Sequence, residues 1–130
     1  MEALSRLEPI LLSLLRVMSG LLLLQHGATK LLGIPATKMT GVAISTMPGA
    51  AGVIELVCGV LLVIGLFTRP AAFIASGMTA VAYFLAHAGQ SFFPIVNGGE
   101  LAALYCFVFL FLAAAGGGPI SVDSMIRQKD

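Results

Sequence analysis

Six polar side chains able to bind an anion, an oxygen or a proton stand among apolar residues of this chain: Arg16, His26, Lys30, Glu55, Asn97 and Glu100. His87 and Gln25 accompany them. An imidazole titrates near neutral pH and can shuttle a proton. A carboxylate can serve as acid or base, and a guanidinium or ammonium can hold an anion or a carbonyl oxygen. The densest stretch is LLLLQHGATKLLG, residues 21–33, where Gln25, His26 and Lys30 interrupt the end of an apolar run. Ionisable groups inside a membrane span cost roughly 2.5–3.5 kcal/mol each even on a lenient scale, so they face a protein interior and take partners. Several in one short chain require a shared polar interior.

The elements that must position them are apolar. Of 130 residues, 58% are hydrophobic and 10% charged, where a soluble domain carries about 25% charged; mean hydropathy is +1.03. Such a chain cannot cover a water-facing surface in the usual way, and membrane residence follows. The net charge of +1 without a basic stripe argues against a nucleic-acid partner. Four apolar segments, residues 9–32, 48–67, 70–88 and 97–115, each approach the ~20 residues that cross a bilayer. In lipid the backbone must satisfy its own hydrogen bonds, so the segments are helices. The expected fold is all-α, one domain over residues 1–130, an integral membrane four-helix transmembrane bundle. The first run is too long for a signal peptide and lacks a small-residue cleavage site after it, so it is expected to be retained.

Punctuation marks the ends. TMPGA sets Thr46 as a cap ahead of Pro48, and GLFTRPAA repeats this with Thr68 and Pro70, leaving a tight turn between antiparallel spans. VNGGE places Asn97 three residues before Glu100, at capping-box spacing. GGGPIS ends the last span, and a polar tail, residues 121–130, follows. Residues 33–47 are long for a bundle connection; they could lie on the interface, fold over the mouth as a lid, or simply connect. Arg6, Arg69, Arg127 and Lys129 flank one side and Lys30 and Lys38 the other. Both termini are therefore expected in the cytoplasm, with QHGATK facing out.

At about 100° per residue, His26 lies about 80° and Lys30 about 40° from Arg16 around the first helix, on one face, with Gln25 turned away. Depths counted from each span's end bring Arg16 and Glu55 within an arginine's reach, so these two are the expected buried ion pair. His26, Lys30, Glu55, His87 and Glu100 collect toward the outer leaflet as a polar vestibule, with Gly27 suited to a close helix approach. Each has a bland alternative: Glu100 and Asn97 as caps, Lys30 snorkelling to the interface, His87 as an interfacial residue, Arg16 with Glu55 as structural glue. No spacing selects a metal, and none is expected. Cys58 and Cys106 form no C-x-x-C and read as small buried hydrophobes; similar depths, roughly 13–15 Å from one side, permit contact if their helices adjoin.

Arg16, QHGATKLLG, PGAAGVIELVCGVLLVIGLFTRPAA, NGGELAALY and GPISVD together resemble the DoxX family of small prokaryotic membrane proteins, over nearly the whole chain. The resemblance implies a four-helix membrane bundle in the prokaryotic plasma (inner) membrane. It also implies a link to thiosulfate:quinone oxidoreductase, oxidative-stress assemblies, or quinone and catechol resistance. Arg16, His26, Lys30, Glu55, Asn97 and Glu100 carry over as ligand-binding candidates, with no residue assigned a catalytic role. The expected function is a redox-associated accessory subunit that binds a quinone-like or other small amphipathic molecule in an outward-facing cavity. A ligand-free scaffold and a small proton-coupled transporter are the alternatives. No flavin, haem or iron–sulfur motif is present, so electrons would come from a partner oxidoreductase subunit. Membrane lipid and a second copy of the chain are the other expected partners.

Overall fold

A computed structural model describes residues 1–129, with side chains placed through Arg127. Lys129 as a flanking charge and Asp130 as the end of the tail lie outside the described side chains. All regular structure among the described residues is helical. The helices are α1 (Glu2–Arg6), α2 (Glu8–Leu32), α3 (Met47–Ile64), α4 (Thr68–Ala82), α5 (Pro94–Asn97), α6 (Glu100–Ala115) and α7 (Val122–Lys129). Beyond Ala82, residues Tyr83–Ala88 continue α4 in the wider π geometry.

Three helical stretches, Glu8–Leu32, Met47–Ile64 and Thr68–Ala88, are long and apolar enough to cross a membrane; Glu100–Ala115 is apolar but shorter. The outward surface is apolar too, with Leu14, Met18, Phe73, Phe84 and Phe107 all exposed. A surface of that kind suits lipid, not water.

Local chemistry sets the ends. Thr46 Oγ1 accepts from the Gly49 amide 3.3 Å away, as the cap reading expects, with Pro48 in the first turn of α3. Helix α3 stops three residues before the expected Phe67. Gly65 takes a left-handed φ of 74°, and its amide and that of Leu66 both return to the Leu61 carbonyl. Only glycine adopts this backbone readily. The capping box is a correction: Asn97 closes the short α5 and Gly99 is the cap of α6, so Glu100 begins that helix with no reciprocal partner. The tail expected to be merely polar forms α7.

The long helices pack as two close pairs, α2 with α3 and α4 with α6, joined through α3 and α4, while α2 and α6 touch sparsely. Glycines at heptad spacing bring α2 and α3 together. A Cβ at Gly27 would lie 2.6 Å from the Leu56 nitrogen, one at Gly20 2.9 Å from the Val63 nitrogen, and one at Gly59 2.7 Å from the Leu24 Cα. Small residues of this kind let helix backbones meet in lipid, where van der Waals packing is a main attraction. Leu23, Cys58, Leu62, Ala71, Ala72, Ala75, Tyr105, Phe109 and Leu112 form the core between the pairs.

These contacts also set the register. Gly27 faces Leu56 and Gly20 faces Leu62 and Val63, so Glu55 stands level with Gly27 and Ala28. Arg16 lies eleven or twelve residues further along α2, roughly 17 Å away. Helix α2 thus overhangs the end of α3.

Replacing Gly27 with alanine forces a methyl into the Leu56 and Gly52 backbone. It is expected to destabilise the protein by about 1–3 kcal/mol, read as a lower thermal midpoint in detergent. Gly77→Ala, whose Cβ meets nothing within 4 Å, should leave the midpoint unchanged or raise it.

Candidate functional site

The polar side chains assemble into three clusters. At the end where α2 overhangs, Arg16 is 1% exposed. Its Nε donates to the Leu62 carbonyl at 2.8 Å, Nη2 to that of Ile120 at 2.8 Å, and Nη1 to that of Gly117. Leu62 lies in the last turn of α3, where carbonyls lack intrahelical donors and the helix dipole is negative. The guanidinium fork therefore joins α2, the end of α3 and the loop after α6. This corrects the expected ion pair. Arg16 and Glu55 do not meet, because the helices are staggered and depths counted from each helix's own end do not compare.

Ser13 braces the same loop, donating to the Gly117 carbonyl at 3.3 Å and accepting from the Ile120 amide at 3.1 Å. Asp123 of α7 completes the end. Its two oxygens accept from the amides of Phe67 at 2.8 Å and Thr68 at 2.9 Å, capping α4. Burial works to raise the Asp123 carboxyl, but the Thr68 and Phe67 amides and the Arg127 charge outweigh it and hold it below the ordinary aspartate range.

The second cluster lies between the pairs. Lys30 Nζ stands 2.6 Å from Glu55 Oε1, with the side chains 13% and 7% exposed. One residue from Gly27, the His26 ring meets Tyr105 of α6 edge-on at a centroid distance of 6.4 Å, and Tyr105 stacks on Phe109 at 5.4 Å. The Tyr105 hydroxyl is buried with no hydrogen-bond partner among the described residues.

The third cluster ties the connection from α4 to α6. Asn97 Nδ2 donates to the Tyr83 hydroxyl at 3.1 Å and the Ser91 carbonyl at 3.0 Å, its Oδ1 accepts from the Gly99 amide at 2.8 Å, and its carbonyl lies 3.1 Å from His87 Nδ1.

An apolar groove of about 570 Å³ runs between α3 and α4. Pro48, Ala51 and Ile54 form one wall and Phe73, Met78 and Leu85 the other, while Met39 of the connector and Lys30 border it. Lys30 is its one charged lining residue among the described residues. Of the six sequence candidates, then, Lys30 and Glu55 touch, with His26 at the same level. Arg16 belongs to the far cluster and Asn97 to the third, and Glu100 is exposed.

The vestibule expectation is corrected for His87, which turns to the Asn97 carbonyl, and for Glu100. Cys58 and Cys106 are free thiols; Cys106 Sγ lies 3.6 Å from the Ser76 hydroxyl of α4. Among the described residues no three His, Cys, Asp or Glu side chains gather to hold a metal. The sequence reading missed Tyr105, Ser13 and Asp123. Tyr105 could have been found, since Tyr105, Phe109 and Leu112 recur at helical spacing and mark the buried stripe of α6.

The family model for DoxX matches residues 11–88, the stretch that carries most of α2 and all of α3 and α4 with its π extension. This chain belongs to the DoxX family. A protein of Haemophilus influenzae is 42% identical over 134 aligned residues, covering 99% of this chain and 100% of its own length. A second from the same organism is 31% identical over 74 residues, covering 57% of this chain and 49% of its own. Both are described as uncharacterized. No solved structure matches the chain. The DoxX match includes Arg16, His26, Lys30 and Glu55 and leaves Tyr105, Asn97 and Glu100 outside it.

Two outcomes test this DoxX geometry. Arg16→Met leaves the Leu62 and Ile120 carbonyls without their donor and the Gly117 carbonyl with Ser13 alone, and is expected to destabilise the protein by about 3 kcal/mol or more, with Arg16→Lys recovering only part because one ammonium cannot replace the fork; denaturation in mild detergent reads both. A carboxyl lowered on folding stabilises above its unfolded pKa and loses that contribution as pH falls through its folded value. The thermal midpoint should therefore drop as pH falls below the ordinary aspartate range. Asp123→Asn should flatten that limb while lowering the midpoint at neutral pH.

Proposed function

We propose that this DoxX chain holds a quinone-like or other small amphipathic molecule, its tail in the α3–α4 groove and its head at Lys30. The observation that carries the reading is the groove itself, an apolar cleft of about 570 Å³ bordered at one point by Lys30, a member of a part-buried ion pair. Ligand sites are mostly apolar with a few polar groups that fix orientation, and Lys30 is such a group. Glu55 and His26 stand behind it as protonable groups, which a head group undergoing reduction requires. Electrons would come from a partner oxidoreductase subunit, this chain serving as its accessory in the inner membrane.

In this reading α2, α3, α4 and α6 all cross the bilayer with both termini in the cytoplasm. The charge distribution supports it. Arg6, Arg69 and Arg127 lie at the Arg16 end of the molecule and Lys38 at the other, and Lys30 is withdrawn into an ion pair, which sharpens the positive-inside bias. Helix α6, at 16 residues, spans about 24 Å, short enough to thin the bilayer locally.

A scaffold without ligand is the second reading, favoured by the fact that Lys30 and Glu55 already satisfy each other. Extraction into native nanodiscs and mass spectrometry of the bound lipids separate the two. A quinone-like amphiphile should be enriched over bulk lipid with the natural chain and with Lys30→Arg, and depleted about tenfold or more with Lys30→Gln. No enrichment with the natural chain, alongside a lower thermal midpoint for Lys30→Gln, supports the scaffold instead.

A further inference from the structure

Lys30 serves two neighbours at once. It borders the groove, and its ammonium is held by Glu55 at 2.6 Å. A negatively charged head arriving in the groove competes with the carboxylate for the ammonium. An added anion would then leave the cluster with an unbalanced charge in apolar surroundings, which is strongly disfavoured. Neutrality returns if the displaced carboxylate takes up one proton. A protonated carboxyl in the interior in turn needs a hydrogen-bond partner.

Such a partner stands at the right level. Tyr105 is 7% exposed and its hydroxyl is without a hydrogen bond. Its ring meets His26, and the adjacent Gly27 packs on Leu56, next in sequence to Glu55. Buried polar groups left unpartnered are uncommon and call for a reason. The titratable groups around Glu55 are Lys30 and His26 from α2, Tyr105 from α6, and Cys58 one turn along α3. Helix α4 itself brings Arg69, at the opposite end, and its π extension brings Tyr83 and His87, both turned to Asn97.

We propose that the Lys30–Glu55 pair is a proton-coupled latch for an amphiphile with an anionic head. The head takes the Lys30 ammonium, while Glu55 binds one proton from solvent and turns to the Tyr105 hydroxyl. One anion and one proton enter together, and no bond in the ligand is made or broken. The latch rests on the groove reading and narrows its ligand to acidic amphiphiles.

The test uses the full chain in phosphatidylcholine nanodiscs with two probes of equal tail, decylsulfonate and decanol. Sulfonate affinity should fall by up to about tenfold per unit rise in pH, as uptake of one proton demands, while decanol affinity stays flat. Glu55→Gln, neutral from the start, should bind sulfonate about tenfold or more tightly at pH 8 and lose the pH dependence. Tyr105→Phe should leave the thermal midpoint of the free protein unchanged or higher, since the lost hydroxyl had no partner. It should weaken sulfonate about tenfold and decanol not at all. His26→Gln should keep the pH profile.

A flat sulfonate profile in the natural chain overturns the latch, and does so even if Glu55→Gln fails to fold. So does loss of sulfonate binding in a folded Glu55→Gln variant, equal weakening of both probes by Tyr105→Phe, or a profile abolished by His26→Gln. Binding of decanol without sulfonate sinks the latch and leaves the groove reading standing. Binding of neither removes both.

Discussion

Arg16 is where the demands of a low-dielectric interior are met together. A buried cation needs negative partners, and backbone carbonyls at a helix end need donors. The guanidinium answers both by reaching the last turn of α3 and the loop that follows α6. It is planar and rigid, so it also fixes the angle between the elements it touches. Ser13 on the same face and Asp123 across the turn extend the network to the start of α4. Every long helix therefore has one end referred to this point, and the distances elsewhere in the molecule follow from it.

Above that end, the molecule is governed by how closely α2 and α3 approach. Gly20, Gly27 and Gly59 remove the side chains that would hold the backbones apart, and the resulting register puts Lys30 beside Gly52, one turn from Glu55. The ion pair is thus a product of packing as much as of charge. Placed at the edge of the α3–α4 groove, it gives an otherwise apolar surface one point of polar recognition.

Much of this was legible in the sequence. Hydropathy located the four long helices, and Thr46 and Pro48 marked the start of α3, because these signals are local and the lipid environment leaves a helix few alternatives. Glu55 and Lys30 were recognisable as buried groups from their setting alone. Their pairing was not, since partner choice depends on helix stagger, and no single helix encodes its offset from a neighbour. The same gap misassigned Arg16. Asn97 misled differently: its spacing to Glu100 matches a capping box, yet Gly98 and Gly99 turn the chain between them, and Asn97 secures its own loop instead. Tyr105 went unmarked because an unpaired hydroxyl is a property of three-dimensional neighbours.

The loop at Gly117 to Ile120 supplies two of the three carbonyls around Arg16, although it lies about a hundred positions later in the chain. During synthesis, α2 emerges with its cation unmatched, gains the Leu62 carbonyl with α3, and stays short of two partners until the loop after α6 has been made. Early in assembly the opening helix is therefore poorly suited to settle deep in lipid by itself. The loop after α6 is the part that completes the hold on the first long helix.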